Sequence, residues 1–193
     1  ELLCSESTRE EYDGISTKEL FDYLRPDGPN KMKATKRILI LDACYSGKFI
    51  QEFIALGSNV NDKNLNSEIK ISKQISQLQD LSAEAGVFIL AASEHNQSAY
   101  ESTAVQQSLL TYSLLKTIKE EKFSDNKLNI NQWFHKTVTK VKNISKRFNE
   151  ENDVQNAYPY VVNDIDIGRI TNKVRESINI SSDNKPIIDF ITF

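Results

Sequence analysis

The run Lys36-Arg37-Ile38-Leu39-Ile40-Leu41-Asp42-Ala43-Cys44-Tyr45-Ser46-Gly47 passes from unbroken apolar side chains into a short polar turn. Branched residues without alternation read as a strand covered on both faces, hence as a central strand of a parallel sheet. After the turn, Phe49, Ile50, Phe53, Ile54 and Leu56 continue at helical spacing until Gly57 closes the run. Strand, turn and helix in that order put Cys44 at the carboxyl end of a strand. In an open α/β sheet that is where loops converge over a crevice.

A second unit of the same kind follows. Gly86-Val87-Phe88-Ile89-Leu90-Ala91-Ala92 repeats the buried-strand pattern, and Leu109, Leu110, Leu114, Leu115 and Ile118 mark a helix after a polar stretch over 93–104. Upstream, Ser16-Thr17-Lys18-Glu19 has capping-box spacing and predicts a short helix over about 16–24, ended by Pro26 and Gly28. Residues 58–84 are dominated by Asn, Ser, Asp, Lys and Gln and read as a long exposed connection, with a short amphipathic helix possible in composition over 71–81. Asn131 to Phe148 carries Trp133, Phe134, Val138, Val141 and Ile144 on one helical stripe. Val161-Val162 and Ile165-Asp166-Ile167 are short strand candidates, and 170–193 is weakly patterned. Alternation of strands and helices predicts an α/β fold with a mostly parallel sheet.

The whole-chain figures narrow the function. Lys and Arg total 24 against 27 Asp and Glu, a net charge of −3, so no excess of cations is present to hold a phosphate backbone, and nucleic acid is not expected as a partner. No apolar run approaches the roughly 20 residues needed to span a bilayer, so no membrane partner is expected either. Two cysteines, Cys4 and Cys44, cannot build a disulfide framework, and neither they nor the histidines stand at metal-ligand spacing. A reducing, cytoplasmic setting is expected, with no metal and no cofactor.

Cys44 has two readings from its position. As a nucleophile it would profit from the helix N-terminus, which favours a thiolate, and from backbone N–H groups able to hold an oxyanion. As a structural residue it would be one more packed free cysteine. Cys4 reads as structural or incidental.

The wording around Cys44 carries more. Ile40-Leu41-Asp42-Ala43-Cys44-Tyr45-Ser46-Gly47 resembles the nucleophile motif of caspase-like cysteine peptidases of the metacaspase and bacterial C14 type. Phe88-Ile89-Leu90-Ala91-Ala92-Ser93, Gln97-Ser98-Ala99-Tyr100-Glu101 and Leu109-Leu110-Thr111-Tyr112-Ser113-Leu114-Leu115 resemble the next strand, the pocket loop and the following helix of that family. Gln155-Asn156-Ala157-Tyr158-Pro159 and Asp166-Ile167-Gly168-Arg169 resemble its closing part, so the likeness covers about 1–170. It implies a caspase-like three-layer sandwich, a mostly parallel sheet with helices on both faces and its N-terminal strands missing. Residues 1–170 would form a partial peptidase domain with 58–84 as linker or insert. Residues 171–193 would be a tail or the start of a following segment.

The resemblance implies cysteine-type endopeptidase activity through a Cys-His dyad, with Cys44 as the cysteine. In the family the histidine lies in a Gly-His-Gly-like turn before the cysteine strand, and none precedes Lys36 here. Glu1-Leu2-Leu3 is similar to the stretch after that turn, which implies that the chain begins just past the histidine and that the fragment alone cuts little. The missing N-terminal part of the domain is then a partner, beside the protein or peptide substrate. Of the histidines present, His95 follows the second buried strand and is the candidate base within the chain, against a solvated loop residue, while His135 reads as structural or exposed.

Asp42 stands two positions before the cysteine, on the same side of the strand by its period of two. In metacaspase-type relatives the matching aspartate lines the S1 pocket, which implies cleavage after Arg or Lys. Glu101 in the pocket loop is a second acidic candidate. The structural alternatives are a helix cap for Asp42 and a plain surface charge for Glu101. An acidic pocket makes Lys63, Lys70 and Lys73 in the 58–84 connection candidate self-cleavage points. Rival functions are a non-catalytic caspase-like scaffold or interaction module, and a different cysteine enzyme on an α/β fold.

Overall fold

The structure, a computed structural model, describes residues 2–3, 14–24, 33–34, 36–57, 86–102, 107–148, 154–161 and 164–180. Strands β1 (Leu2–Leu3) and β2 (Gly14–Ile15) precede helix α1 (Thr17–Leu24), strand β3 (Arg37–Leu41) and helix α2 (Ser46–Gly57). Then come β4 (Val87–Ala91), β5 (Glu101–Ser102), β6 (Gln107–Ser108), α3 (Leu109–Glu120), β7 (Lys127–Asn129) and α4 (Ile130–Phe148). Strands β8 (Tyr158–Tyr160) and β9 (Asp166–Arg169) and helix α5 (Asn172–Ser177) complete the order. The expected amphipathic helix at 71–81, Cys4, Lys63, Lys70 and Lys73 lie outside the described residues.

Every residue of β4 is buried, and the two-residue period of a strand divides its side chains between two cores. Val87, Ile89 and Ala91 pack with Phe21 and Leu24 of α1, with Phe49, Ile50 and Phe53 of α2 and with Leu41. Phe88, Leu90 and Ala92 point the other way, into Leu109, Leu110 and Leu114 of α3 and Ile130, Phe134 and Val141 of α4. Phe21 meets Phe53 edge to face at 5.0 Å between ring centroids, which fixes α1 against α2. The capping box at the start of α1 forms as its spacing predicts: the Glu19 carboxylate accepts from the Ser16 amide at 2.9 Å, and the Ser16 hydroxyl accepts from the Glu19 amide at 3.2 Å.

The sheet corrects the expectation of a mostly parallel arrangement. Among the described residues only β3 and β4 run parallel, in register from Arg37↔Val87 to Leu41↔Ala91. The pairs β4–β8, β1–β2, β5–β6 and β7–β9 are all antiparallel, and the largest sheet among the described residues is the three-stranded β3-β4-β8. The reason lies in the connections. A parallel neighbour needs a crossover that returns the chain to the start of the sheet, as the α2-bearing link from β3 to β4 does. β8 instead starts from a segment tied to the carboxyl end of β4, where the Gln155 amide donates to the Ala92 carbonyl at 2.8 Å. From there the chain has to descend, pairing Tyr158 with Ala91 and Tyr160 with Ile89.

β3 departs from expectation too. Among the described residues it has one neighbour, β4, and so stands at the edge of the sheet that they form. Leu41 is buried, but Ile38 and Ile40 are 40% and 38% exposed, on the face where their partners Phe88 and Leu90 are covered. Beyond 170, α5 docks on the domain: the Arg175 guanidinium donates to the carbonyls of Ile118, Lys119 (2.9 Å) and Glu121 (2.8 Å) at the end of α3.

Candidate active site

Cys44 lies in the turn between β3 and α2, two residues before the first residue of the helix, and is half-buried. The turn is tight. Tyr45 takes φ of +57°, the left-handed region that a bulky side chain adopts only at a cost on the order of 1–2 kcal/mol. Its amide donates to the Gln97 carbonyl at 3.0 Å and its carbonyl accepts from the Lys48 amide at 2.9 Å, so neighbouring backbone holds the strained residue on both sides. The Tyr45 ring projects outward and is 53% exposed.

The end of β4 braces this turn from beneath. Ser46, buried, accepts from the Ser93 amide at 3.1 Å, and the Gly47 amide donates to the Ser93 carbonyl at 3.0 Å. Ser93 in turn donates its hydroxyl to the Ala43 carbonyl at 3.4 Å. Gly47 is required by contact: a Cβ there would stand 2.6 Å from the His95 nitrogen and 2.8 Å from the Ser93 oxygen. The first turn of α2 thus rests on the 93–95 backbone, which sets the height of Cys44 above the sheet.

The Cys44 thiol faces the loop that enters β5. Its Sγ accepts from the Ala99 amide at 3.4 Å and donates to the Ala99 carbonyl at 3.7 Å. That loop is anchored behind by two glutamines. Gln97 donates to the Val154 carbonyl at 2.6 Å and accepts from the Asn156 amide at 2.8 Å. Gln155, fully buried, accepts from the Tyr100 amide at 2.9 Å while donating to Ala92.

Asp42 is exposed beside the cysteine turn, and its Oδ2 accepts from the hydroxyls of Ser108 and, at 2.5 Å, Thr111. Ser108 is the N-cap of α3 and accepts the Thr111 amide at 3.0 Å. Glu101, also exposed, is the cross-strand partner of Ser108 in the β5–β6 hairpin. Residues directly opposite in an antiparallel pair share a face with Cβ atoms about 5 Å apart, so the second acidic side chain stands next to a group that binds the first. Cys44 and Asp42, two residues apart, are thereby linked to the distant Glu101 through Ala99 and Ser108.

Neither histidine side chain is hydrogen-bonded to this cluster. His95 sits exposed on the turn after β4, its backbone against Gly47, and its side chain makes no hydrogen bond to Cys44. His135 is exposed on α4 and lines a cleft of about 340 Å³ with Glu121, Lys136, Thr139, Lys140 and Asn143. In that cleft Lys136 and Lys140 hold the Glu121 carboxyl below its ordinary range by hydrogen bonding. Among the described residues no group of three or more His, Cys, Asp or Glu side chains is placed to hold a metal ion, and no helix is long and apolar enough to cross a membrane.

Position after the strand singled out Cys44 and Asp42, and the family resemblance Glu101; neither gave a role to Ser108, Thr111, Gln97 or Gln155. The one local signal was Ser108 directly before an apolar helical run, the usual mark of an N-cap. A family model described as the caspase domain, of peptidase type C14, matches residues 5–177. No curated protein and no solved structure matches the chain.

Proposed function

The chain belongs to the caspase-domain family, and from that premise we propose that it is the cysteine-bearing part of a cysteine-type endopeptidase of the metacaspase or bacterial kind, cutting after Arg or Lys. The observation that carries the reading is the Cys44 turn itself: a strained, braced turn at a strand's carboxyl end presents a thiol to a pocket loop, beside a carboxylate fixed by two hydroxyls.

In this mechanism the dyad histidine takes the Cys44 thiol proton and the sulfur attacks the carbonyl carbon of the scissile peptide bond. The developing oxyanion is held by Cys44's own backbone N–H at the N-terminal end of α2, the Tyr45 and Gly47 amides being engaged by the Gln97 and Ser93 carbonyls. The C–N bond breaks as a histidine gives its proton to the departing amine, leaving a thioester on Cys44. Water then attacks the thioester, releasing the acid and restoring the thiol. Asp42, with Glu101 near it, receives the positive side chain of the residue before the cut.

A histidine supplied by other polypeptide would complete the dyad. His95 remains the alternative base within the chain. An attacking thiol also suits a reducing, cytoplasmic setting. Lys63, Lys70 and Lys73 stay proposed self-cleavage points, to be tested by sequencing new N-termini after incubation of the full-length protein.

Cys44→Ala in the full-length protein is expected to abolish cleavage of Arg and Lys peptides without loss of folding. Full activity in that variant refutes the assignment. Absence of any peptide cleavage by the native protein favours the rival reading, a caspase-like scaffold that binds and does not cut.

A further inference from the structure

We propose that Ser108 and Thr111 set the cation preference of the acidic pocket, making it accept lysine on a par with arginine. The inference rests on Asp42 being the group that meets the substrate cation, and concerns how much of that carboxylate is left to meet it.

Both hydroxyls donate to the same oxygen, Oδ2. A carboxylate oxygen offers about two lone-pair sites, so two donors fill it. Oδ1 accepts no hydrogen bond among the described residues, and Asp42 is exposed, so an incoming cation finds one free oxygen. The guanidinium group gains its advantage over an ammonium by presenting two parallel N–H groups to both oxygens at once. With Oδ2 filled, that fork makes a single bond to Asp42. An ammonium is a compact charge that needs only one oxygen and loses nothing.

The two hydroxyls are not free to turn away. Ser108 accepts the Thr111 amide at 3.0 Å as the N-cap of α3, so the oxygen that donates to Asp42 is also held by the helix. Thr111 lies in the first turn of α3, whose backbone places its hydroxyl beside Asp42. Ser108 is further fixed through its pairing with Glu101 across the β5–β6 hairpin. Neither residue touches the substrate in this proposal. They are positioning residues that act through Asp42.

The test uses the full-length protein and three peptides identical except before the cut: lysine, arginine, and citrulline as the neutral shape of arginine. For the native protein kcat/KM is expected to agree for lysine and arginine within about threefold, because one charge-assisted bond serves each. Thr111→Val, alone and with Ser108→Ala, frees Oδ2 and is expected to raise the arginine-to-lysine ratio about tenfold. Thr111→Ser restores the hydroxyl and is expected to return the native ratio. The single Thr111→Val variant keeps the Ser108 cap, so the measurement survives if the double variant folds poorly.

A native preference for arginine of a hundredfold overturns the proposal. So does a double variant that slows lysine and arginine alike with their ratio unchanged, since the hydroxyls would then only tie β3 to α3. Asp42→Asn separates this from the underlying reading: if it leaves both basic peptides preferred over citrulline, Asp42 is not the cation ligand at all.

Discussion

Gln155 bridges the chain to itself across the back of the pocket loop, its side-chain amide donating to Ala92 O at 2.8 Å and accepting from the Tyr100 amide at 2.9 Å. Its side chain is fully buried, so no water can replace either bond without opening the core. Gln155→Leu keeps much of the volume and strands one carbonyl and one amide. Each orphaned buried group costs about 1–3 kcal/mol, so a loss of about 2–6 kcal/mol is expected, read as a lower urea midpoint at unchanged slope. Because Tyr100 is next to Ala99, which holds the Cys44 thiol, peptide cleavage is expected to fall by more than the folded fraction does. A variant of native stability contradicts the bridge.

Gly47 tests how firmly the end of β4 sets the cysteine turn. A Cβ at this position meets backbone atoms, not movable side chains: His95 N at 2.6 Å, Glu94 C at 2.7 Å and Ser93 O at 2.8 Å. Gly47→Ala therefore has to push α2 away from the 93–95 segment. Overpacking of this kind costs about 1–3 kcal/mol. Lifting α2 also moves Cys44 from Ala99, so kcat is expected to drop in a variant that still folds, while a melting temperature and kcat both equal to native refute the contact.

What could be read from the sequence follows from how local its cause is. The capping box of α1 and the wholly buried β4 were legible because the pattern and the structure it specifies lie within a few residues of each other. β3 was over-read: Ile38-Leu39-Ile40-Leu41 shows that the strand is apolar but not what covers it, and Ile38 and Ile40 are left half-exposed. The direction of β8 depends on Gln155 reaching Ala92, a contact 63 residues apart that no periodicity announces. The same holds at the candidate site. Cys44 and Asp42 stand out by their position after a strand, whereas the hydroxyls that hold Asp42 lie 66 and 69 residues further on, in a segment whose own pattern marks only a helix start.

Arg175 tests whether α5 is part of the domain or an appendage. Its guanidinium closes the end of α3 by donating to the carbonyls of Ile118, Lys119 and Glu121, where the helix leaves acceptors unpaired and its dipole favours a cation. Hydrogen bonds from a charged donor contribute about 1.5–3 kcal/mol, partly offset here by access to water. Arg175→Ala is expected to destabilise by about 1–3 kcal/mol and to speed amide exchange in the last turn of α3. Arg175→Lys is expected to recover little, since one ammonium cannot reach three carbonyls in the geometry of a planar fork. Unchanged exchange at the end of α3 in the alanine variant means that α5 contributes nothing to it.

Tyr160 makes stability at high pH a readout of the β4–β8 junction. Its hydroxyl is pushed up to about 12, first by burial and then by the neighbouring Tyr158 and the Glu94 carboxylate. The unfolded chain loses that proton near pH 10. Between these values the native state keeps a proton that the unfolded state has released, so the unfolded state gains and stability falls as pH rises. Each pH unit in the window is worth about 1.4 kcal/mol for this one group, about 2–3 kcal/mol in all, fully present below pH 10 and lost by about pH 12. Tyr160→Phe has no such proton. Urea unfolding at pH 9, 10.5 and 11.5 is expected to show a steeper decline in the native chain than in the variant, and parallel declines would place Tyr160 in water rather than against Ile89.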